Sequence, residues 1–215
     1  MVENTTVADE SKPARARNRR GEGSRLRDDI VAAAVQLLDE TGDEGAVTLR
    51  AVARRVGIAA PSIYRHFPDQ PSIMLAVVRQ AFGELEEQLR VGLASAGDDP
   101  RRRLLAIGHS YLEFAQHHPG RYRTMFGGLW MPDLDKTTLT ESDLSSLGDA
   151  SMGLLVGALG ACVEAGVSTS DDLAADGVAL WLGLHGLAHQ RAVTVAYPWP
   201  ADIAERVITA LAHLA

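Results

Sequence analysis

Apolar residues return at helical intervals along nearly the whole chain. Leu26, Ile30, Ala33, Ala34, Leu37 and Leu38 recur at steps of three and four, and Ser24 stands where an N-cap belongs. Gly42 supplies a stop. Thr48 is a second N-cap candidate, followed by Leu49, Val52 and Val56 on one face, and Gly57 turns the chain. A short third helix runs from about Ala60 to Phe67 and tolerates Pro61 in its first turn. Pro68 and Asp69 break it and open a fourth, with Ile73, Leu75, Val77, Val78, Phe82, Leu85 and Leu89 as apolar positions. The pattern continues through 101–117, 119–127, 140–166, 170–195 and 201–214, with Gly, Pro, Asp or Ser at the breaks. Strand alternation and internal repeats are absent from the sequence. The pattern predicts an all-α fold of about nine helices.

Residues 1–23 lack this period and are rich in charge, which predicts a disordered basic tail. The helical part divides into a three-helix unit over residues 24–70 and a larger bundle over 71–215, with the fourth helix shared near the boundary. Charge sharpens that division. The net charge is −7, yet Ser11–Arg27 holds seven bases (Lys12, Arg15, Arg17, Arg19, Arg20, Arg25, Arg27) against one acid, Glu22. Thr48–Phe67 holds four arginines and no acid, whereas the chain from Arg79 onward is acidic. A polyanionic partner would therefore meet the N-terminal part.

The single cysteine, Cys162, rules out an intrachain disulfide framework. The polar first twenty residues predict no secretory leader, and the uncharged run Ala150–Val163 is too short for a bilayer span of about 20 residues. A cytoplasmic location without membrane attachment is expected.

Within Thr48–Phe67, two short helices flank the turn at Gly57, the arrangement of a helix-turn-helix. Ile63 and Phe67 lie four apart and can pack inward. Pro61 and Arg65 fall on the opposite side, flanked by Ser62 and Tyr64. That outer face is small, polar and basic, suited to a major groove about 12 Å wide. Arg65 can pair with guanine or phosphate, Ser62 can bond either, and Ala60 and Pro61 can meet a thymine methyl. Tyr64, His66 and the Thr48 hydroxyl suit phosphate, as does the N-terminus of the second helix.

The order Arg27…Ala34…Gly42…Thr48…Val52-Ala53…Gly57-Ile58…Ser62-Ile63-Tyr64-x-His66-Phe67 resembles the TetR family of transcriptional regulators. The resemblance implies that Thr48, Arg50, Ala60, Pro61, Ser62, Tyr64, Arg65 and His66 contact DNA. Two positions depart from the family pattern. Ala59 replaces the usual capping Ser, a loss of roughly 0.5–2 kcal/mol, and Gln70 replaces a Lys that typically touches phosphate. The arginine-rich tail is the expected compensation.

Val178–His189, VALWLGLHGLAH, resembles the Trp…His-Gly motif of a TetR subset with a WHG-type C-terminal domain. The resemblance implies a homodimer through the last two helices. Trp181, His185 and Ala188 share one face, Gly183 and Gly186 would allow another backbone close, and Ile203, Val207, Ile208, Leu211 and Leu214 form a final apolar stripe. A monomer core would bury the same stripes. An effector pocket is expected among the middle helices, with His109, Tyr111, Phe114, Met125, Phe126, Trp130, Met152, Leu155, Cys162, Trp181 and His185 as candidate lining. The same set also describes an ordinary core.

His185 and His189 sit four apart and His117 and His118 are adjacent, but no Cys or carboxylate cluster accompanies them at metal-site spacing. No metal, cofactor or enzymatic activity is expected. The sequence as a whole reads as a repressor on a roughly palindromic double-stranded DNA operator, released by a small, largely apolar effector. The alternatives are a ligand-binding or interaction protein whose helix-turn-helix no longer binds DNA, and an enzyme using His109, His185 or His189 as acid–base groups.

Overall fold

Short polar side chains set most helix starts in the computed structural model, which describes residues 22–128 and 130–215. The basic tail expected at residues 1–23 lies outside the described residues, apart from its last two positions. There α1 (Glu22–Thr41) has already begun, ahead of the expected cap at Ser24. Asp43 caps a 3-10 turn at Glu44–Ala46. The Thr48 hydroxyl oxygen accepts the Ala51 N–H at 3.1 Å and starts α2 (Leu49–Val56). Gly57 ends α2 in the left-handed region (φ 74°), which a side chain would resist. α3 (Ala60–Ile63) follows, then α4 (Gln70–Ser95), opened by a capping box between Asp69 and Ser72. Asp99 caps α5 (Pro100–His117), and α6 (Pro119–Phe126) follows with Pro119 at its first position. A 3-10 turn (Leu134–Lys136), α7 (Glu141–Ser145), α8 (Asp149–Glu164), α9 (Leu173–Val193) and α10 (Ile203–Leu211) complete the order.

The all-α expectation holds among the described residues, with ten α-helices where about nine were expected. The difference arises at Gly148, which adopts φ 84° and splits the expected helix 140–166 into α7 and α8. A Cβ there would lie 2.9 Å from the Phe82 ring, so a side chain meets both backbone strain and a steric block. The third helix is shorter than expected. Tyr64–His66 form a turn, although the Phe67 N–H still bonds the Ile63 carbonyl at 2.9 Å. Pro68 disfavours helical geometry at Phe67, so the chain does not return to helix after that turn.

Two hydrophobic clusters result. The smaller gathers Ile30, Ala34, Val47, Val52, Ile63 and Phe67 from α1–α3, with Ile73 and Val77 from the first half of α4. The larger gathers Leu85 and Leu89 from the second half of α4 with Leu104, Ile107, Leu159, Leu180, Leu184 and Ile208 from α5, α8, α9 and α10. α4 thus contributes to both.

Candidate functional site

The side chains expected to anchor α3 are buried, and of those expected to face outward three are exposed and three half-buried. Ile63 and Phe67 are almost fully enclosed. Arg27 of α1 lays its guanidinium 4.3 Å from the centre of the Phe67 ring and donates to the His66 carbonyl at 3.1 Å. That clamp spans 39 residues and holds the end of the recognition segment. Sequence reasoning counted Arg27 among the N-terminal bases and in the family motif, without this role. Outward, Pro61, Tyr64 and Arg65 are exposed, and Ala60, Ser62 and His66 are half-buried at the edges. Tyr64 is 52% exposed. Its ring and hydroxyl are thus accessible to a partner at this turn.

Thr48 and Arg50 are exposed at the start of α2. The Thr48 oxygen serves as a cap, so its O–H remains a donor for an incoming oxygen. Arg55, by contrast, is held by Glu40 of α1 through two bonds of 2.7 and 2.6 Å. Ala59 stands at the start of α3 with no side-chain cap, as its chemistry dictates. Gln70 has a structural role. Its amide donates to the Glu44 carbonyl at 3.0 Å and ties the start of α4 to the turn after α1.

Farther along the molecule, α4, α5, α6, α8 and α9 line an open-sided cavity of about 380 Å³. Tyr111, Met125, Phe126, Met152, Leu155 and Trp181 line it together with Phe82, Leu85, Leu89, Ile107 and Leu184. The last five were legible as apolar helix positions, but nothing in their spacing distinguishes a cavity wall from solid core. Five expected lining residues sit elsewhere. His109 is exposed, because two helical residues turn it about 200° away from Tyr111. Phe114 is buried in the larger cluster with its ring against His118. The Cys162 thiol is buried and donates to the Pro100 carbonyl at 3.3 Å; burial pushes its pKa up. Trp130 packs against the smaller cluster instead. His185 stands behind the wall in a polar trio. Its Nδ1 lies 2.7 Å from the Tyr122 hydroxyl and 3.2 Å from that of Tyr111, and the two hydroxyls are 3.2 Å apart.

Burial, with His189 nearby, lowers the His185 pKa and keeps the ring neutral at neutral pH. Burial also raises both tyrosine pKa values, so the trio carries no charge there. At the start of α8, the Ser151 Oγ is buried without a hydrogen-bond partner. Asp149 is the one charged residue in the lining.

Polar ties join the two halves. Asp69 accepts from the Thr137 hydroxyl at 2.7 Å and the Thr138 N–H at 2.9 Å, fixing the segment after α6 to the start of α4. Arg121 of α6 pairs with Asp39 of α1 at 3.2 Å and with Glu84 of α4. The glycines of α9 divide their roles. Gly183 faces α10, where a Cβ would collide with Leu211, and Gly186 faces open space. Trp181 and His185 point into the aromatic cluster around Phe126. Among the described residues no three His, Cys, Asp or Glu side chains converge on a metal-sized site. No described helix is long and apolar enough to cross a membrane.

Comparison with known proteins gives the arrangement a context. Residues 30–77 match the family model for bacterial regulatory proteins of the tetR family, and residues 104–214 match that for the tetracyclin repressor-like C-terminal domain. An uncharacterized HTH-type transcriptional regulator of Mycobacterium tuberculosis, Rv0681, is 34% identical over 97 residues, covering 45% of this chain and 43% of its own. The transcriptional activator FasR of Mycolicibacterium smegmatis is 30% identical over 122 residues, covering 54% and 53%. The chain thus spans about half the length of the curated relatives it matches. A solved structure of a Rhodococcus protein of unknown function superposes with a TM-score of 0.70 at 26% identity, covering 87% of this chain and 91% of that one. Since the C-terminal family model alone spans more than half of the chain and the N-terminal one covers α2 and α3, the chain belongs to the TetR family of transcriptional regulators, with α2 and α3 as its DNA-binding helix-turn-helix.

Proposed function

We propose that this protein is a ligand-released repressor that binds a roughly palindromic double-stranded operator as a homodimer in the cytoplasm. Residues 24–70 form its DNA-binding unit and 71–215 its regulatory unit, with a basic tail at 1–23. The DNA face comprises Thr48, Arg50, Ala60, Pro61, Ser62, Tyr64, Arg65 and His66, and a small, largely apolar effector occupies the cavity beside Phe126. One observation carries the reading: α4 runs from the core that seats the recognition helix to the wall of the cavity. A ligand that favours a shifted α4 therefore changes the spacing of two recognition helices, and by linkage DNA disfavours that ligand.

The outer face of α9 supports the dimer. Val178 (46% exposed) and Leu182 (54%) lie apolar and uncovered beside Gly186. Much of the α10 stripe is spent inside the monomer, with Ile208 fully buried, so the proposed seam centres on α9 with α10 at its side. Gel shifts and footprints on the DNA upstream of the protein's own coding region test the reading. Sequence-specific protection is expected. Tyr64→Ala with Arg65→Ala abolishes it without changing the melting curve, and the salt slope falls by about one phosphate's worth per lost contact. No specific binding across neighbouring promoters would sink it. The relative FasR is named an activator, so a reporter assay settles the sign of regulation.

A further inference from the structure

We infer that the cavity selects a hydrophobic amine in its protonated, cationic form. The inference rests on the regulatory reading above and specifies the chemistry of its effector. Charge is the first argument. Asp149 is the one charged lining residue, and no Lys, Arg or His lines the space. Basic groups around it are engaged elsewhere: His185, behind the wall, bonds Tyr122 and Tyr111 and has its pKa lowered by burial, Arg79, in the adjoining outer groove, pairs with Asp143 at 2.8 Å, and Arg121 pairs with Asp39 and Glu84. An anionic ligand would give up water along a largely apolar wall without a counter-cation and would face the Asp149 carboxylate, which is costly. The start of α8 would favour an anion by its dipole, but the Asp149 carboxylate already occupies that first turn.

The second argument is the wall. Phe82, Tyr111, Phe126 and Trp181 all line the cavity. Phe126 is central, with ring centres 5.6 Å from Phe82, 6.2 Å from Trp181 and 6.4 Å from Tyr111. Aromatic faces carry negative potential and attract a desolvated cation. The aliphatic remainder of the wall takes the hydrocarbon body, and 380 Å³ lies within the usual range of small-molecule sites.

The third argument is the buried Ser151 Oγ, which has no partner. An orphaned hydroxyl in the lining is a cost that a ligand can remove. An ammonium on the aromatic wall faces the Asp149 carboxylate, and turning the enclosed Ser151 hydroxyl toward the space gives that ammonium a second acceptor. A neutral hydrocarbon of the same shape would gain the wall and leave both polar groups unused.

Three shape-matched probes test this by calorimetry on the full chain at pH 7: 4-phenylbutylamine, 4-phenylbutanol and 4-phenylbutyrate. The amine is expected to bind about tenfold tighter than the alcohol, and the carboxylate weaker than both. Asp149→Asn closes most of the gap between amine and alcohol. Asp149 is exposed, and a melting curve checks that the variant is folded. Equal binding of amine and alcohol, tightest binding of the carboxylate, an undiminished preference in Asp149→Asn, or no binding of any probe at millimolar concentration overturns the assignment. The same probes added to an operator gel shift separate the two levels. If the alcohol or carboxylate binds best and releases DNA, the regulator reading stands and the cation assignment falls. If the amine binds with the stated preference and operator affinity does not move, the cavity's selectivity stands and the regulatory reading falls.

Discussion

Asp69 joins three segments with one carboxylate. It caps α4 through the Ser72 N–H at 2.8 Å and accepts from Thr137 and Thr138. Burial alone would raise its pKa, but the bonds from Thr138, Thr137 and Ser72 outweigh burial and hold it at about 2. A carboxyl depressed on folding stabilises the protein fully above its unfolded pKa of roughly 3.9, and that stabilisation is lost as pH falls through the folded value. Asp69→Ala should therefore cost about 1–2 kcal/mol at pH 7. In urea melts the gap to wild type should narrow between about pH 4 and pH 2; a gap independent of pH there would refute the account. The sequence marked Asp69 only as a break and a helix start, because its other partners lie 68 and 69 residues away. His109 shows the converse. Its chemistry suits a pocket, yet helical phase relative to Tyr111 decides, and a set of aromatic and polar residues carries no phase.

Among the elements, the helix-turn-helix was legible because its determinants are local. Thr48 caps within three residues, Gly57 turns within one, and Ile63 and Phe67 anchor within four. The uncapped start of α3 was legible for the same reason and makes a sharp prediction. Ala59→Ser should offer a second acceptor to the Ser62 N–H, which already bonds the Ala59 carbonyl at 2.8 Å, and since Pro61 has no N–H to cap the gain should stay near the low end, about 0.5 kcal/mol. A recognition helix ordered in advance loses less entropy on DNA, so operator affinity should rise with stability; a melting scan and a gel shift on one preparation would show both. The α7–α8 break left a signal that the helical period on either side masked. Gly148 stands in the turn-prone stretch Ser145-Ser146-Leu147-Gly148-Asp149; its φ of 84° and the approach of Phe82 make it a joint. Gly148→Ala should thus destabilise by more than the roughly 1 kcal/mol of left-handed strain alone, since the new methyl also displaces Phe82 from the cavity wall.

For the whole molecule, the question is how an event at Phe126 reaches Tyr64. α4 is one link. α6 is the other, because Met125 and Phe126 line the cavity while Arg121, one turn earlier, reaches both α1 and α4. Trp130, soon after α6, lies against the smaller cluster, and Thr137 and Thr138 then bond Asp69. A ligand that moves Phe126 therefore moves an element fixed to the DNA-binding half at several points. Arg121 is the most informative to remove. Its pairs are partly exposed, so Arg121→Met should cost less than about 1 kcal/mol of stability. If α6 transmits the signal, the same change should shrink the ligand's effect on operator affinity by several-fold, within the roughly 5–150-fold typical of such couplings. Operator affinity without ligand and ligand affinity without DNA should move much less. The four corners of that cycle are measurable by titrating DNA with and without a saturating ligand, in wild type and variant. Reciprocity adds an internal check, since DNA must weaken the ligand by the factor with which the ligand weakens DNA. An unchanged coupling factor in Arg121→Met would assign the signal to α4 alone and leave the ties of α6 as structural support.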